Sequence, residues 1–465
     1  MNRIIYKGFA AAFVALTLTA CAGRKTYERP NVVNEKLFRT DNIPTDSLSS
    51  ANVSWRNIFT DATLQGHINK ALSNNLDVRV AMQNVASAQA YLKQSKAAFI
   101  PTLSVGANYT RSTSSINAMG GVGERTYGNL WDLTGSASWE ADIWGKLSAQ
   151  KRASYASYLA TVEAQKAVQS EVVATLATAY YQLLMLDKQK KVLEQTIDFR
   201  QKSLETTKHL KEAGSTTEVA TKQIEALVYN AQAQLISIKN SVWALENTIC
   251  VLLGEEPHTI ERTTLAEQNF PTEFKQGYAA KLLQNRPDVA RAELSLRNAF
   301  EMTNVARAAF YPTLTLSARG GFSSTELDTW ISAKSIFANF VAGLAQPILN
   351  GRQIRTQYEV RQIEQETALL NFKKVILSAG KEVADAMQNF SNQTEFIELK
   401  NKEMKAYQEA TDYSKQLFDS GMVNYLEVIT AEVNRLNAEL SVAESQFTCM
   451  QYGITLYKAL GGGWR

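Results

Sequence analysis

The chain has 465 residues, with 49 Lys and Arg against 45 Asp and Glu, a formal net charge of +4. So small an excess, without a block of like charges, argues against a nucleic-acid surface. The length exceeds what one globular core usually carries, yet there are only eight prolines, separated by long proline-free spans that suit long helices.

Residues 1–20 read as a signal peptide. Arg3 and Lys7 form its basic end, and the apolar run Gly8–Thr19 is too short for a comfortable membrane helix. The run ends in "LTAC", Leu18–Cys21. This resembles the bacterial lipobox, which makes Cys21 the expected lipidation site. Residue 22 is Ala rather than Asp, so the familiar inner-membrane retention signal is absent and the lipid is expected in the outer membrane. Beyond this segment no apolar run is long enough for a membrane helix. If the mature chain crosses a membrane, it must do so with strands.

Most of the mature chain is a tandem repeat. "NNLDV" at Asn74 answers "NRPDV" at Asn285, and "FIPTL" (Phe99–Leu103) answers "FYPTL" (Phe310–Leu314), at an offset of 211 without a gap. "WGK" at Trp144 and "NGR" at Asn350 align at offset 206. Gly214 with Gly421, and "LLG" (Leu252–Gly254) with "ALG" (Ala459–Gly461), align at offset 207. The repeats span 67–254 and 283–461, joined by a linker at 255–282 and followed by a tail at 462–465.

Each repeat opens with a helix, expected at about 67–99 and 283–310, with Asp77 and Asp288 near its start where a carboxylate suits the dipole. Pro101 and Pro312 end it, because the residue before proline avoids helical torsion angles. A pair of strands follows. Trp131, Leu133, Gly135, Ala137 and Trp139 alternate with Asp132, Thr134, Ser136, Ser138 and Glu140, and a similar period of two runs through 103–109 and 314–322. A fourth strand at about 335–349 alternates more weakly. Next comes a helix without glycine or proline from Lys146 to Ala213, some 100 Å long at 1.5 Å per residue. Gly214 ends it, and "STTE" (Ser215–Glu218) has the form of a capping box for the next helix, which runs to Leu253. The second repeat does the same from about Gly351 through Gly421 to Leu460.

The strands are long enough to cross a bilayer, alternate as barrel strands do, and are flanked by Tyr109, Tyr127, Trp131, Trp139, Trp144 and Trp330 as by an interfacial girdle. Alternation alone leaves open a soluble sheet with one buried face. Four strands cannot close a membrane barrel, and open edges are not tolerated in lipid. Several chains must therefore share one barrel; two would supply eight strands, three would supply twelve. The long helices must likewise associate side by side to bury their apolar stripes.

These features in this order, with the entry segment "WRNIFTDATLQGHINKALSNNLDV" (Trp55–Val78) and "WEADIWGK" (Trp139–Lys146), resemble the TolC/OprM family of outer-membrane efflux channels in its lipoprotein branch. The resemblance implies a mixed α and β fold: a 12-stranded barrel shared by a homotrimer, continuing into an α-helical periplasmic tunnel. Residues 21–66, the linker and the terminal segments would build an equatorial domain. It implies two partners, a periplasmic adaptor and, through it, an inner-membrane RND-type pump, with outer-membrane lipid around the barrel. The two helix turns would be the adaptor-docking tips, carrying Gly214, Ser215 and Thr216 in one repeat and Gly421, Met422 and Val423 in the other. Asp412, nine residues before Gly421, resembles the acidic ring that narrows the family's tunnel entrance, and Glu205 is its counterpart. A match to the family's tyrosine-centred gate network is missing. A protein-secretion duct and a periplasmic coiled-coil scaffold without a pore are the alternative readings.

Nothing points to catalysis. His67, His209 and His258 are not spaced as metal ligands, Cys250 and Cys449 lie in apolar helical patterns, and there is no P-loop, G-x-S-x-G or HExxH. Neither a metal nor a cofactor is expected.

Overall fold

The computed structural model describes residues 25–32, 53–117, 124–271 and 285–465; Cys21 and the signal segment lie outside them. The elements are α1 (Trp55–Ile58), α2 (Ala62–Asn74), α3 (Leu76–Ala97), β1 (Thr102–Thr113), β2 (Tyr127–Ala141), α4 (Lys146–Glu212), α5 (Glu218–Leu253), α6 (Pro287–Ala308), β3 (Thr313–Ser324), β4 (Ile336–Ala345), α7 (Gln353–Asp419) and α8 (Tyr425–Ala459). No helix among the described residues is long and apolar enough to cross a membrane.

The chain divides into two compact units. The first holds the sheet and the helix segments that join it, drawn from 25–30, 86–117, 124–160 and 293–371. Its four strands form one antiparallel meander in the order β1-β2-β3-β4. The register sorts the side chains by polarity. Rows such as Ala107–Leu133–Phe322–Ile336 and Leu103–Ala137–Ala318–Phe340 lie on one face. Rows such as Ser104–Ser136–Arg319–Asn339 lie on the other. The outer edges of β1 and β4 have no neighbour in the sheet, and apolar residues on those strands stand exposed, Leu103 at 81% and Phe340 at 71%. Residues Lys25–Pro30 run along α6: Tyr27 packs edge-on against Phe300 at 5.6 Å, Arg29 pairs with Glu293 at 2.8 Å, and Asn304 donates to the Lys25 carbonyl at 3.2 Å.

The helices preceding β1 and β3 stop earlier than the prolines themselves, at Ala97 and Ala308. An α-helical bond to the Ala97 carbonyl would have to come from residue 101, and Pro101 has no N–H. Ile100 N–H binds that carbonyl instead, at 2.9 Å, in a tighter turn. Tyr311 N–H does the same for Ala308 at 3.1 Å, since Pro312 is equally mute. The fourth strand is shorter than the 335–349 expected, and β2 begins at Tyr127, four residues before the alternation that starts at Trp131.

The second unit holds the helical hairpins and the linker, drawn from 53–85, 161–271, 285–292 and 372–465. Its main core gathers Trp55, Phe59, Leu64 and Ile68 against Leu176, Tyr180 and Leu183 of α4, Leu253 of α5 and Ile260 of the linker. Asp61 ties these together. It caps α2 by accepting from Thr63 N at 2.8 Å, and it receives hydroxyl bonds from Tyr180 at 2.8 Å and Thr263 at 2.5 Å and an amide bond from Gln268 at 2.9 Å. Burial pushes its carboxyl up, but these donors outweigh burial and hold it below the ordinary carboxylate value. The single helix expected at 67–99 begins earlier, at Ala62, and is broken at Asn75. There the side-chain Oδ1 accepts from Asp77 N and Val78 N at 2.9 and 3.1 Å, opening a new helix.

The two repeats close in the same way. Asn75 Nδ2 donates to the Leu252 carbonyl and Arg286 Nη1 to the Ala459 carbonyl, both at 2.9 Å. These donors are equivalent across the repeat, as are the acceptors. Beside each bond a glycine with left-handed φ ends the helix: Gly254 at 72° and Gly461 at 97°. A Cβ on Gly254 would lie 2.8 Å from the Asn74 carbonyl oxygen, and one on Gly461 2.8 Å from that of Asn285. Gly214 and Gly421 have the same φ, 73° and 71°, but open space around them. Alanine at 254 or 461 should therefore cost about 2–4 kcal/mol from torsion plus a backbone clash. Alanine at 214 or 421 should cost about 1 kcal/mol from torsion alone. Thermal melts of the four purified variants should show that order; equal losses would refute the closure.

Candidate functional site

The two helical turns are built on one plan. In the first, Gly214 N–H binds the Lys211 carbonyl at 2.9 Å and Ser215 N–H binds Leu210 at 2.8 Å. In the second, Gly421 binds Phe418 and Met422 binds Leu417, both at 2.9 Å. This pair of bonds is the Schellman end, which needs a left-handed residue at its glycine. Thr217 and its repeat counterpart Asn424 then cap the following helices, accepting from Ala220 N at 3.3 Å and Leu426 N at 2.9 Å. The capping box expected at Ser215–Glu218 is not made: the cap is Thr217, two residues later, because the Schellman turn uses Gly214 and Ser215 to reverse the chain.

What bridges each turn differs. Lys211 forms an ion pair with Glu218 across the first. At the equivalent positions of the second, Phe418 and Tyr425 pack their rings at 4.9 Å. The bond from Lys211 pulls Glu218 below the ordinary carboxylate value. Gly214, Ser215, Gly421 and Met422 are exposed, Thr216 and Val423 partly so. Met422 is 74% exposed, and Val219, Leu417 and Leu426 add further apolar surface.

Asp412 and Glu205 are exposed on α7 and α4, nine residues before their turns. Neither pairs with a cation among the described residues. Lys415, one turn beyond Asp412, is engaged elsewhere, with Glu432 at 2.6 Å and over the Phe199 ring at 4.6 Å. The charge of Asp412 is thus left uncompensated. Sequence reasoning missed the Lys415–Glu432 contact because it joins residues on different helices.

Among the described residues, no group of three or more His, Cys, Asp or Glu is placed to hold a metal. Cys250 is buried and free, its sulfur accepting from His258 N at 3.3 Å. Cys449 is also free, and burial pushes its thiol up. His67 meets the Glu261 carbonyl at 2.8 Å. Pro101 and Pro312 stand immediately before β1 and β3.

A family model described as outer membrane efflux protein matches the chain twice, over residues 67–255 and 279–462. The chain belongs to the outer membrane efflux protein family. It is 28% identical over 462 residues to the cation efflux system protein CusC of Escherichia coli O157:H7, covering 97% of this chain and 98% of that one. It is 26% identical over 460 residues to the solvent efflux pump outer membrane protein SrpC of Pseudomonas putida, covering 97% of each. Its fold is that of the solved MtrE outer membrane channel of Neisseria gonorrhoeae, with a TM-score of 0.85 at 24% identity over 95% of this chain and 98% of that one. The TolC/OprM resemblance read from the motifs is thereby met, and the protein is an outer-membrane efflux channel.

The two turns should respond differently to acid. A carboxylate whose folded pKa is lowered stabilises above its unfolded value, and that contribution is lost as pH falls through the lowered one. As pH falls through that lowered value, beneath the ordinary glutamate range, the Glu218 bridge should open while the Phe418–Tyr425 bridge persists. Hydrogen exchange at Ser215 and Met422, corrected for intrinsic rates, should then accelerate at Ser215 only. Parallel acceleration at both would refute the ion-pair clamp.

Proposed function

We propose that this channel is the exit duct of a tripartite efflux pump, with three copies sharing one 12-stranded barrel. The observation that carries this is the sheet: four strands, both edges unpaired, and one apolar face continuous across all four. Three such sheets joined edge to edge would leave no unpaired backbone in lipid. The helical hairpins would associate into the periplasmic tunnel, and Cys21 would carry the lipid anchor. A periplasmic adaptor would dock on the exposed turns at Gly214–Thr216 and Gly421–Val423 and couple the duct to an inner-membrane RND-type pump. The duct itself supplies no catalysis.

Efflux is favoured over protein secretion by the relatives, whose names speak of efflux of cations and of solvents. Two such different cargoes at nearly the same identity suit a duct whose cargo is chosen upstream by its pump. Purified protein should run as a heat-modifiable trimer and conduct ions in planar bilayers. A monomeric, non-conducting rod would support the scaffold reading instead. In the cell, deletion should raise accumulation of pump substrates while leaving secreted protein unchanged.

Three copies of Asp412 around an axis would form an acidic ring at the tunnel entrance, with Glu205 adding to it. Asp412→Ala should weaken block by divalent cations and raise single-channel conductance. Unchanged block and unchanged conductance would remove Asp412 from the gate.

A further inference from the structure

At the end of the sheet remote from its helical segments, the apolar face changes character. Tyr109 and Trp131 are cross-strand partners with ring centroids 4.2 Å apart, and Trp330 lies 5.7 Å from Trp131. The Tyr109 hydroxyl donates to Asn129 Oδ1 at 3.1 Å. Two residues further along β1 is Arg111, on the same face as Leu103, Val105 and Tyr109 because the strand has a period of two. Its register partner is Asn129. Its guanidinium lies 5.6 Å from the Tyr127 ring, on the diagonal neighbour.

An arginine on the membrane-facing side of a strand needs a reason. Within the hydrocarbon it would be costly, and no carboxylate among the described residues pairs with it. Asp132, near it in the sheet, belongs to the opposite face. The spacing gives the depth. Trp139 and Trp131 lie on the apolar face eight residues apart in β2. At about 3.4 Å per residue and a tilt of about 40° that is roughly 21 Å of height, close to the apolar band of such barrels. Arg111 lies about 7 Å along the strand beyond Tyr109, which at that tilt adds about 5 Å of height. That places it outside the band, at headgroup level. With the duct oriented by its periplasmic helices, this is the outer leaflet, where the lipid of a bacterial outer membrane is a phosphorylated glycolipid.

We infer that Arg111, with Tyr109, Tyr127, Trp131 and Trp330, is a binding site for the phosphate of an outer-leaflet glycolipid. The guanidinium fork matches a phosphate in geometry and charge. Tyr127 holds the side chain from one side by cation–π contact. The indole and phenol rings offer flat faces to the sugar rings beside the phosphate. The inference rests on the apolar face meeting lipid, as in the duct reading.

The test uses the full-length protein purified in mild detergent, with bisphosphorylated lipid A added and bound lipid read by native mass spectrometry. Arg111→Gln should lower lipid A occupancy about fivefold, as expected for loss of one charge-assisted, partly exposed contact. Tyr127→Leu should lower it less. Arg319→Gln removes the same charge from the opposite face and should leave occupancy unchanged. Dephosphorylated lipid A should bind the unsubstituted protein as poorly as lipid A binds Arg111→Gln. Equal occupancy in Arg111→Gln would overturn the site, as would equal retention of phosphatidylglycerol and lipid A. Heat-modifiable trimers and conductance are checked on every sample. If conducting trimers form but the lipid arms fail, only the glycolipid site falls; if no conducting trimer forms even without substitution, the duct reading itself falls. Should Arg111→Gln not assemble, the phosphate dependence of the unsubstituted protein and Tyr127→Leu decide.

Discussion

Unpaired backbone cannot remain in hydrocarbon, and this constraint shapes the whole chain. An isolated N–H or C=O in lipid costs several kcal/mol. A strand edge carries a row of them, and this sheet has two such edges, on β1 and β4. No packing within one chain can meet that cost, because β1 and β4 are separated by the full width of the sheet. In the duct reading the edges are met by other copies. Assembly is then, in that reading, a condition for the strands to exist in the membrane, and Leu103 and Phe340, exposed on the apolar face, would meet lipid. The helices in that reading inherit the constraint, since strands held in a ring would fix where the helices begin.

The duplication makes this economical, and the structure shows how far the two copies have diverged. What is kept is backbone geometry: the proline-ended helices, the left-handed glycines and the side-chain donor to the Leu252 or Ala459 carbonyl. What has changed is the chemistry that fills the same geometry. Asn75 in one repeat is Arg286 in the other, and Arg286 also pairs with Asp288 at 2.7 Å and Glu382 at 2.6 Å. Burial pushes the Asp288 carboxyl up, and Arg286 outweighs it and holds the group low. The Lys211–Glu218 bridge corresponds to the Phe418–Tyr425 bridge. A turn or a closure tolerates such exchange because it asks only for a contact across a fixed distance. A position with φ near 70° favours glycine, because a Cβ there is strained, although Arg352 adopts 68° elsewhere in the chain.

The same distinction explains what could be read from sequence. Pro101, Pro312, Gly214 and Gly421 act on their own backbone, so their effect is visible from identity alone. The alternation around Trp131–Glu140 is likewise local, and it placed the strand. The break at Asn75 is not legible, because asparagine in a helical pattern looks like any polar residue; that it caps Asp77 and Val78 while reaching Leu252 appears only in the fold. Asp61 is read as one acidic residue among 45 Asp and Glu, although Tyr180, Thr263 and Gln268 converge on it from far along the chain. The gate candidates Asp412 and Glu205 came from spacing and resemblance. The occupied state of Lys415, which leaves Asp412 uncompensated, depends on Glu432 of another helix and could not be read from spacing.

The register adds a step that neither repeat shows alone. Thr102 faces Ser138 across β1 and β2, and Ser138 faces Ser317 across β2 and β3. The repeat counterpart of Thr102 is Thr313, so equivalent positions are displaced by 317 − 313, or four residues, over two strands. A flat sheet of equivalent hairpins would have no such displacement. A closed barrel requires it, because tilted strands return to themselves only with a shear. A tilt in that sense brings the two F-x-P-T-L junctions toward one level. The sheet of a single chain thus already carries a stagger of the kind a closed barrel needs, so in the duct reading closure would not have to create it.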